Sequence, residues 1–200
     1  MSPRASASAA AATRAGIVDA TVAQASLEGL ESVTIGRLAE RLDMSKAGVI
    51  GPFGTKEQLQ LAALQSAIAL FRRAVWDPNA DTAPGLARLE AITESWLSYL
   101  AHDVFPGGCF LTQAAAEFDG RPGPVRAAIE QTSRLWEEVL RREAETAIQR
   151  GEIPQGADAG QIAFELGAIA QGVNQARQLR GEANAAERGR RAMRRVLGLD

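Results

Sequence analysis

One cysteine, one histidine and one tyrosine stand among 200 residues, and each scarcity removes a class of chemistry. The single thiol, Cys109, cannot form an intramolecular disulfide, so a reducing compartment, the cytoplasm, is the expected location. One histidine, His102, beside one cysteine makes an incomplete ligand set without paired spacing, so no metal is expected and no cofactor is implied. No apolar run approaches the roughly 18 residues of a membrane span, so no membrane partner is expected. The opening "MSPRASASAAAATRAG" has one early arginine and a weak alanine tract without a leucine-rich core. It reads as a flexible arm over residues 1–12 rather than an export signal.

Excess charge is lacking too. Lys and Arg number 22 against 24 Asp and Glu, for a net charge of −2. Over residues 1–60, Arg4, Arg14, Arg37, Arg41, Lys46 and Lys56 face Asp19, Glu28, Glu31, Glu40, Asp43 and Glu57. That balance excludes a non-specific nucleic-acid coater, whose affinity comes from bulk positive charge. Any DNA affinity must come from where the charges sit.

What is present is alanine and a 46% hydrophobic fraction, ample for a core. Aromatics make up only 5% and β-branched residues are sparse, so the composition leans to an all-α chain. No internal repeat and no strand pattern is found. A first helix opens at Thr13 or Arg14 and runs to about Leu27, with Ile17, Thr21, Val22 and Ala25 on its apolar face. Gly29 is its expected stop. Thr34 caps a second helix, whose Ile35, Leu38, Ala39 and Leu42 recur at i, i+3, i+4 and i+7. Asp43 and Met44 form a turn, and Ser45 caps a third helix starting at Lys46. Thr55 with Gln58 makes a capping box for a fourth, expected to reach about Val75. Further helices are expected over about 85–101, 111–117, 124–150, 158–180 and 183–197, divided by "WDPNADTAPG", "FPGGCF", "FDGRPGP" and "GEIPQG".

A capped short helix, a tight turn and a second short helix form a helix-turn-helix arrangement. The helix starts at Thr34, Ser45 and Lys56 lie within 25 residues and each suits a phosphate. Ala47, Val49 and Ile50 could meet thymine methyls. Pro52 removes a hydrogen bond to Gly48 and is expected to disfavour helical geometry at Gly51. It falls near the end of the reading helix, and such helices read mainly through their first turns.

The stretch "TIGRLAERLDMSKAGVIGPFGTKEQL" resembles the DNA-binding domain of TetR-type transcriptional regulators. The resemblance is close over residues 13–60 and extends beyond them in helix count, helix length and loop placement. "FPGGCFL" resembles a stretch found in a subset of these proteins. The resemblance implies an all-α fold of about nine helices. Residues 13–58 would be a three-helix DNA-binding domain, and residues 59–200 a helical ligand-binding and dimerisation domain. It implies phosphate contacts from Thr34, Ser45 and Lys56, and groove contacts from Arg37, Lys46, Ala47, Gly48 and Gly51. Three positions depart from the family pattern. Ile50 replaces a usual tyrosine, Pro52 a usual polar residue and Asp43 a usual turn glycine. The first two cannot donate side-chain hydrogen bonds to phosphate. Aspartate tolerates the left-handed conformation that a turn glycine adopts.

For the second half, Trp96, Tyr99, His102, Cys109, Phe110, Gln113, Phe118, Trp136 and Phe164 are candidate pocket residues, and each is equally a core candidate. His102, where a helix ends, suits terminal carbonyls. Ile162, Leu166, Ile169, Ala170, Val173, Met193 and Val196 are candidate dimer-interface residues, with intramolecular packing of the same stripe as the alternative. Arg188, Arg190, Arg191, Arg194 and Arg195 read as a solvated face. The expected function is a non-enzymatic, homodimeric regulator, in the repressor role, that binds a near-palindromic double-stranded operator and answers to a small molecule. Two other readings fit the same residues. One is a ligand-binding dimer that no longer binds DNA. The other is a thiol-based sensor at Cys109, a position near a helix start that lowers a thiol pKa.

Overall fold

The computed structural model describes residues 3–102 and 104–199. The described residues are helical and contain no strand. In chain order the helices are α1 (Pro3–Glu28), α2 (Ile35–Leu42), α3 (Lys46–Ile50), α4 (Lys56–Phe71), α5 (Leu86–Ala101), α6 (Phe110–Phe118), α7 (Pro124–Gln149), α8 (Ala159–Arg180) and α9 (Ala185–Val196). The chain divides into two compact units, residues 1–69 with 105–129, and residues 70–104 with 130–200.

One difference lies at the start. The segment expected to be a flexible arm is helical from Pro3 onward, while Met1 and Ser2 lie outside the described residues. Alanine is the strongest helix former and proline is at home in a first helical turn, so the tract extends α1 rather than fraying from it.

In the first unit, α1 buries Ile17, Val18, Val22 and Ala25, and Thr21 returns its hydroxyl to the Ile17 carbonyl at 2.7 Å. Gly29 ends the helix at φ 91°, donating its N–H to the Ala25 carbonyl. Leu30, Val33, Leu38, Val49 and Leu59 complete this core. Residues 105–129 belong to the same unit and bury Phe105, Cys109, Phe110, Phe118 and Val125.

In the second unit, α4 gives way at Phe71 to one π-turn over Arg72–Trp76, where Asp77 donates its N–H to the Arg72 carbonyl. The chain thus continues helically to the expected end near Val75, with one wider turn. Asn79, itself buried, donates to the Val75 carbonyl at 2.7 Å and to Ser95 Oγ at 2.8 Å, which closes that end. α8 is capped by Asp158, whose carboxylate accepts from Gly160 and Gln161, and ends at Gly181 with φ 64°. α9 packs against α5 and α8. Its Gly189 has no room for a methyl group, since a Cβ there would lie 2.4 Å from Val173 Cγ2 and 2.9 Å from Leu97 Cδ2. Three arginines of the α9 run are committed to ion pairs. Arg190 meets Glu94 and Arg194 meets Glu90, each at 2.7 Å, and Arg188 meets Glu182.

Candidate nucleic-acid interface

The short helices α2 and α3 are fixed by their caps. Thr34, extended at φ −119° and ψ 145°, accepts the Arg37 N–H on its hydroxyl at 3.3 Å. Ser45 does the same for the Gly48 N–H at 3.0 Å. Between them Asp43 takes the left-handed conformation at φ 51° and ψ 47°, and Met44 donates its N–H to the Ala39 carbonyl at 2.9 Å. A residue with a short polar side chain visits that region at little cost, so the turn forms without glycine.

α3 ends at Ile50, and the turn after it is built around Pro52. Gly51 remains right-handed helical at φ −50° and ψ −48°, contrary to the expectation that proline would push it out. The clash behind that expectation involves the Cβ of the preceding residue, which glycine lacks. Gly51 therefore still donates to the Ala47 carbonyl at 2.8 Å, and a Cβ on it would lie 2.9 Å from that oxygen. Phe53 and Gly54 both donate to the Ile50 carbonyl.

Thr34, Arg37, Ser45, Lys46, Ala47 and Gly51 are exposed, and Gly48, Ile50 and Lys56 are half-buried. Val49 is fully buried in the unit's core and offers nothing to a thymine methyl. The stem of Lys46 lies along α2, with its Cε 3.5 Å from where a Cβ on Gly36 would stand. Among the described residues Lys46 has no carboxylate partner, whereas Arg37 and Lys56 do. Arg37 forks onto Glu28 at 2.6 and 2.7 Å. Lys56 donates to the Glu31 carbonyl at 2.6 Å and has the Glu31 carboxylate 3.5 Å away. Hydrogen bonds hold both carboxyls below their ordinary range, from Gln24 and then Arg37 at Glu28, and from Gln60 and then Lys56 at Glu31. Arg14 of α1 lies over the Phe53 ring at 4.8 Å. The reading head thus combines an unneutralised Lys46 with two cations tethered to carboxylates. The pairings of Arg37 with Glu28 and of Lys56 with Glu31 are not visible in the sequence, because each crosses from one element to another.

The candidate pocket residues fall into both units. In the second, Phe71 meets Trp96, Tyr99 and Trp136 edge-on at centroid distances of 5.9, 5.3 and 5.0 Å, and Trp96 meets Trp136 at 5.4 Å. Trp136 Nε1 is buried without a hydrogen-bond acceptor among the described residues. Phe71 was missed because it reads simply as one more apolar residue on the α4 stripe. His102 caps α5, its Nδ1 lying 2.8 Å from the Ser98 carbonyl oxygen. Phe164 is 63% exposed on α8 and lines no enclosed space. In the first unit Cys109, Phe110 and Phe118 are buried, and the Gln113 amide donates to the Gly107 carbonyl. A groove of about 610 Å³ is lined by Arg141, Glu145, Ile148, Gln149 and residues 157–160. A smaller cleft of about 200 Å³ lies among Glu31, Glu57, Gln60, Arg121 and Arg126. Phe118 lines the smaller cleft, and the other eight candidates line neither.

Of the expected interface residues, Ile162, Leu166, Ala170, Val173 and Met193 are buried within the chain, and Ile169 and Val196 are half-buried. The stripe is occupied by intramolecular packing against neighbouring helices of the same unit. The exposed face of α8 is the other one, with Phe164, Ala168, Gly172 and Leu179.

The fold and this reading head define a helix-turn-helix transcriptional regulator with a helical C-terminal domain. Residues 17–63 match the family model of bacterial regulatory proteins, tetR family, and residues 85–193 match that of the tetracyclin repressor-like C-terminal domain, so the chain belongs to the TetR family. Among solved structures, a TetR regulator from Chloroflexus aurantiacus superposes with a TM-score of 0.85 at 24% identity, covering 94% of each chain. AibR, solved with isovaleryl coenzyme A and operator DNA, gives 0.70 at 21% identity over 82% of this chain and 86% of its own. A regulator from Saccharomonospora viridis in complex with choline gives 0.79 at 17% identity over 94% and 96%. No curated protein matches the sequence. No helix among the described residues is long and apolar enough to cross a membrane.

Proposed function

We propose that the protein is a homodimeric repressor that binds a near-palindromic operator through α3 and is released by a small molecule held in the C-terminal domain. Residues 13–58 act as the DNA-binding domain and residues 59–200 as the ligand-binding and dimerisation domain. The observation that carries this reading is the pair of side-chain-capped helices α2 and α3, which present Lys46 and Ala47 outward at the first turn of α3. Thr34, Ser45 and Lys56 meet phosphates. Arg37, Lys46, Ala47, Gly48, Ile50 and Gly51 line the groove. The aromatic group of Trp96, Tyr99 and Trp136 supports an effector site there, since a buried indole N–H without an acceptor suits a ligand oxygen. The exposed α8 face, with Phe164 and Leu179, suits a second copy, because apolar residues of that size gain from being covered. AibR, solved with isovaleryl coenzyme A and operator DNA, supports a regulator that takes both a small molecule and an operator.

Selection of genomic fragments with the purified protein tests this reading. Enrichment of a near-palindrome whose binding weakens as salt rises is the expected result. No enrichment at low salt would overturn it and leave a ligand-binding dimer without DNA affinity.

A further inference from the structure

The reading head is held from outside its own sequence. Glu117, on α6, accepts the Leu30 N–H on Oε2 at 2.7 Å and the Glu31 N–H on Oε1 at 3.0 Å, across 87 and 86 residues of chain. The same Glu31 gives its carbonyl oxygen to Lys56 Nζ at 2.6 Å. Gln60, one helical turn further along α4, donates to the Leu30 carbonyl at 3.1 Å and to Glu31 Oε2 at 2.9 Å. One carboxylate therefore holds the N–H side of the two residues whose oxygens anchor the start of α4. The glycines at this junction are fitted to it. A Cβ on Gly29 would lie 2.8 Å from Glu117 Oε1, and a Cβ on Gly107 would lie 1.5 Å from the Ser26 carbonyl oxygen. At Gly107 the close atom is backbone and leaves no room for a side chain, and at Gly29 the φ of 91° strains any L side chain.

We propose that Glu117 is a positioning residue for DNA binding, and that it acts through the Leu30–Glu31 loop to set Lys56 against its phosphate. This rests on the proposed phosphate contact of Lys56. An ammonium has three donors. The Glu31 carbonyl engages one at 2.6 Å and fixes where the ammonium stands, while the Glu31 carboxylate lies 3.5 Å away, so donors remain for a phosphate. Released from Glu117, the loop loses the two bonds that define its path, and Lys56 becomes a mobile surface cation. Holding a long side chain in its bound geometry lowers the ordering cost of binding.

The test is a cycle of Glu117→Ala, Lys56→Met and the double variant, read by anisotropy on the selected operator fragment across a salt series. Amide exchange of Leu30 and Glu31 is measured in parallel. Glu117→Ala is expected to weaken binding about tenfold, to reduce the salt slope by about one phosphate per reading head, and to speed exchange at both amides. In the Lys56→Met background it is expected to change affinity by less than about twofold, because residues acting through one contact are not additive. The same tenfold loss in both backgrounds would overturn the proposal, as would unchanged exchange at Leu30 and Glu31. Lys56→Met with wild-type affinity and salt slope would instead remove the phosphate assignment, and with it the role of Glu117 in DNA binding. If Glu117→Ala does not fold, Glu117→Gln keeps the shape and one acceptor oxygen, and is held to the same comparisons at reduced size.

Discussion

Arg88 donates to Glu143 Oε1 at 2.9 Å, with the two side chains only 15% and 10% exposed. The second oxygen of Glu143 accepts the Gly85 N–H at 2.9 Å, and Arg88 also donates to the Thr82 and Ala80 carbonyls. The pair therefore closes the loop before α5 onto α7. Removing one partner strands a buried charge, so Glu143→Ala is expected to lower unfolding stability by about 3 kcal/mol in urea titration. Replacing both by apolar residues of similar volume costs less, which separates the desolvated charge from the contact itself.

Gly189 and Gly16 are both helical glycines and should respond with opposite signs. Gly189→Ala forces a methyl into Val173 and Leu97 and is expected to destabilise by about 1–3 kcal/mol. Gly16 has no atom within 4 Å of its missing Cβ, so Gly16→Ala should stabilise by about 0.5–1 kcal/mol through helix propensity. Thermal unfolding of the two variants checks both signs.

Glu28 neutralises Arg37 in the DNA-free chain. Glu28→Gln removes the charge and keeps the shape, so operator affinity should rise, with a steeper salt dependence as the Arg37 charge is freed for the DNA groove. Equal affinity and slope in variant and wild type would show that Arg37 never reaches DNA.

Glu138 on α7 lies between Arg141 and Arg142, and their hydrogen bonds lower its carboxyl to about 2. A carboxyl held lower in the folded than in the unfolded chain stabilises the fold above its unfolded value, and that contribution fades as pH falls from about 4.5 towards about 2. A carboxyl NMR titration should place the Glu138 midpoint well below those of the unpaired surface glutamates. A midpoint near 4.5 would mean that the trio does not persist in solution.

Local signals were legible and non-local ones were not. Thr34, Ser45 and Thr55 announce helix starts because a cap acts within three residues, and all three accept the expected N–H groups. The alanine tract misled because low complexity resembles an arm, although alanine propensity favours helix. The α8 stripe was legible as apolar, but periodicity does not say whether another helix of the chain or a second copy covers it. Glu117 gives no sign in its own neighbourhood, since its partners lie 86 and 87 residues away.

The measurement that bears most directly on the proposed reading of DNA by α3 is the affinity of wild type and Lys46→Ala for the selected operator at several salt concentrations. A drop of about tenfold or more for Lys46→Ala, with its fold intact, is predicted for a first-turn contact to a base or phosphate. Identical affinity and salt slope would contradict the account and move DNA recognition away from α3.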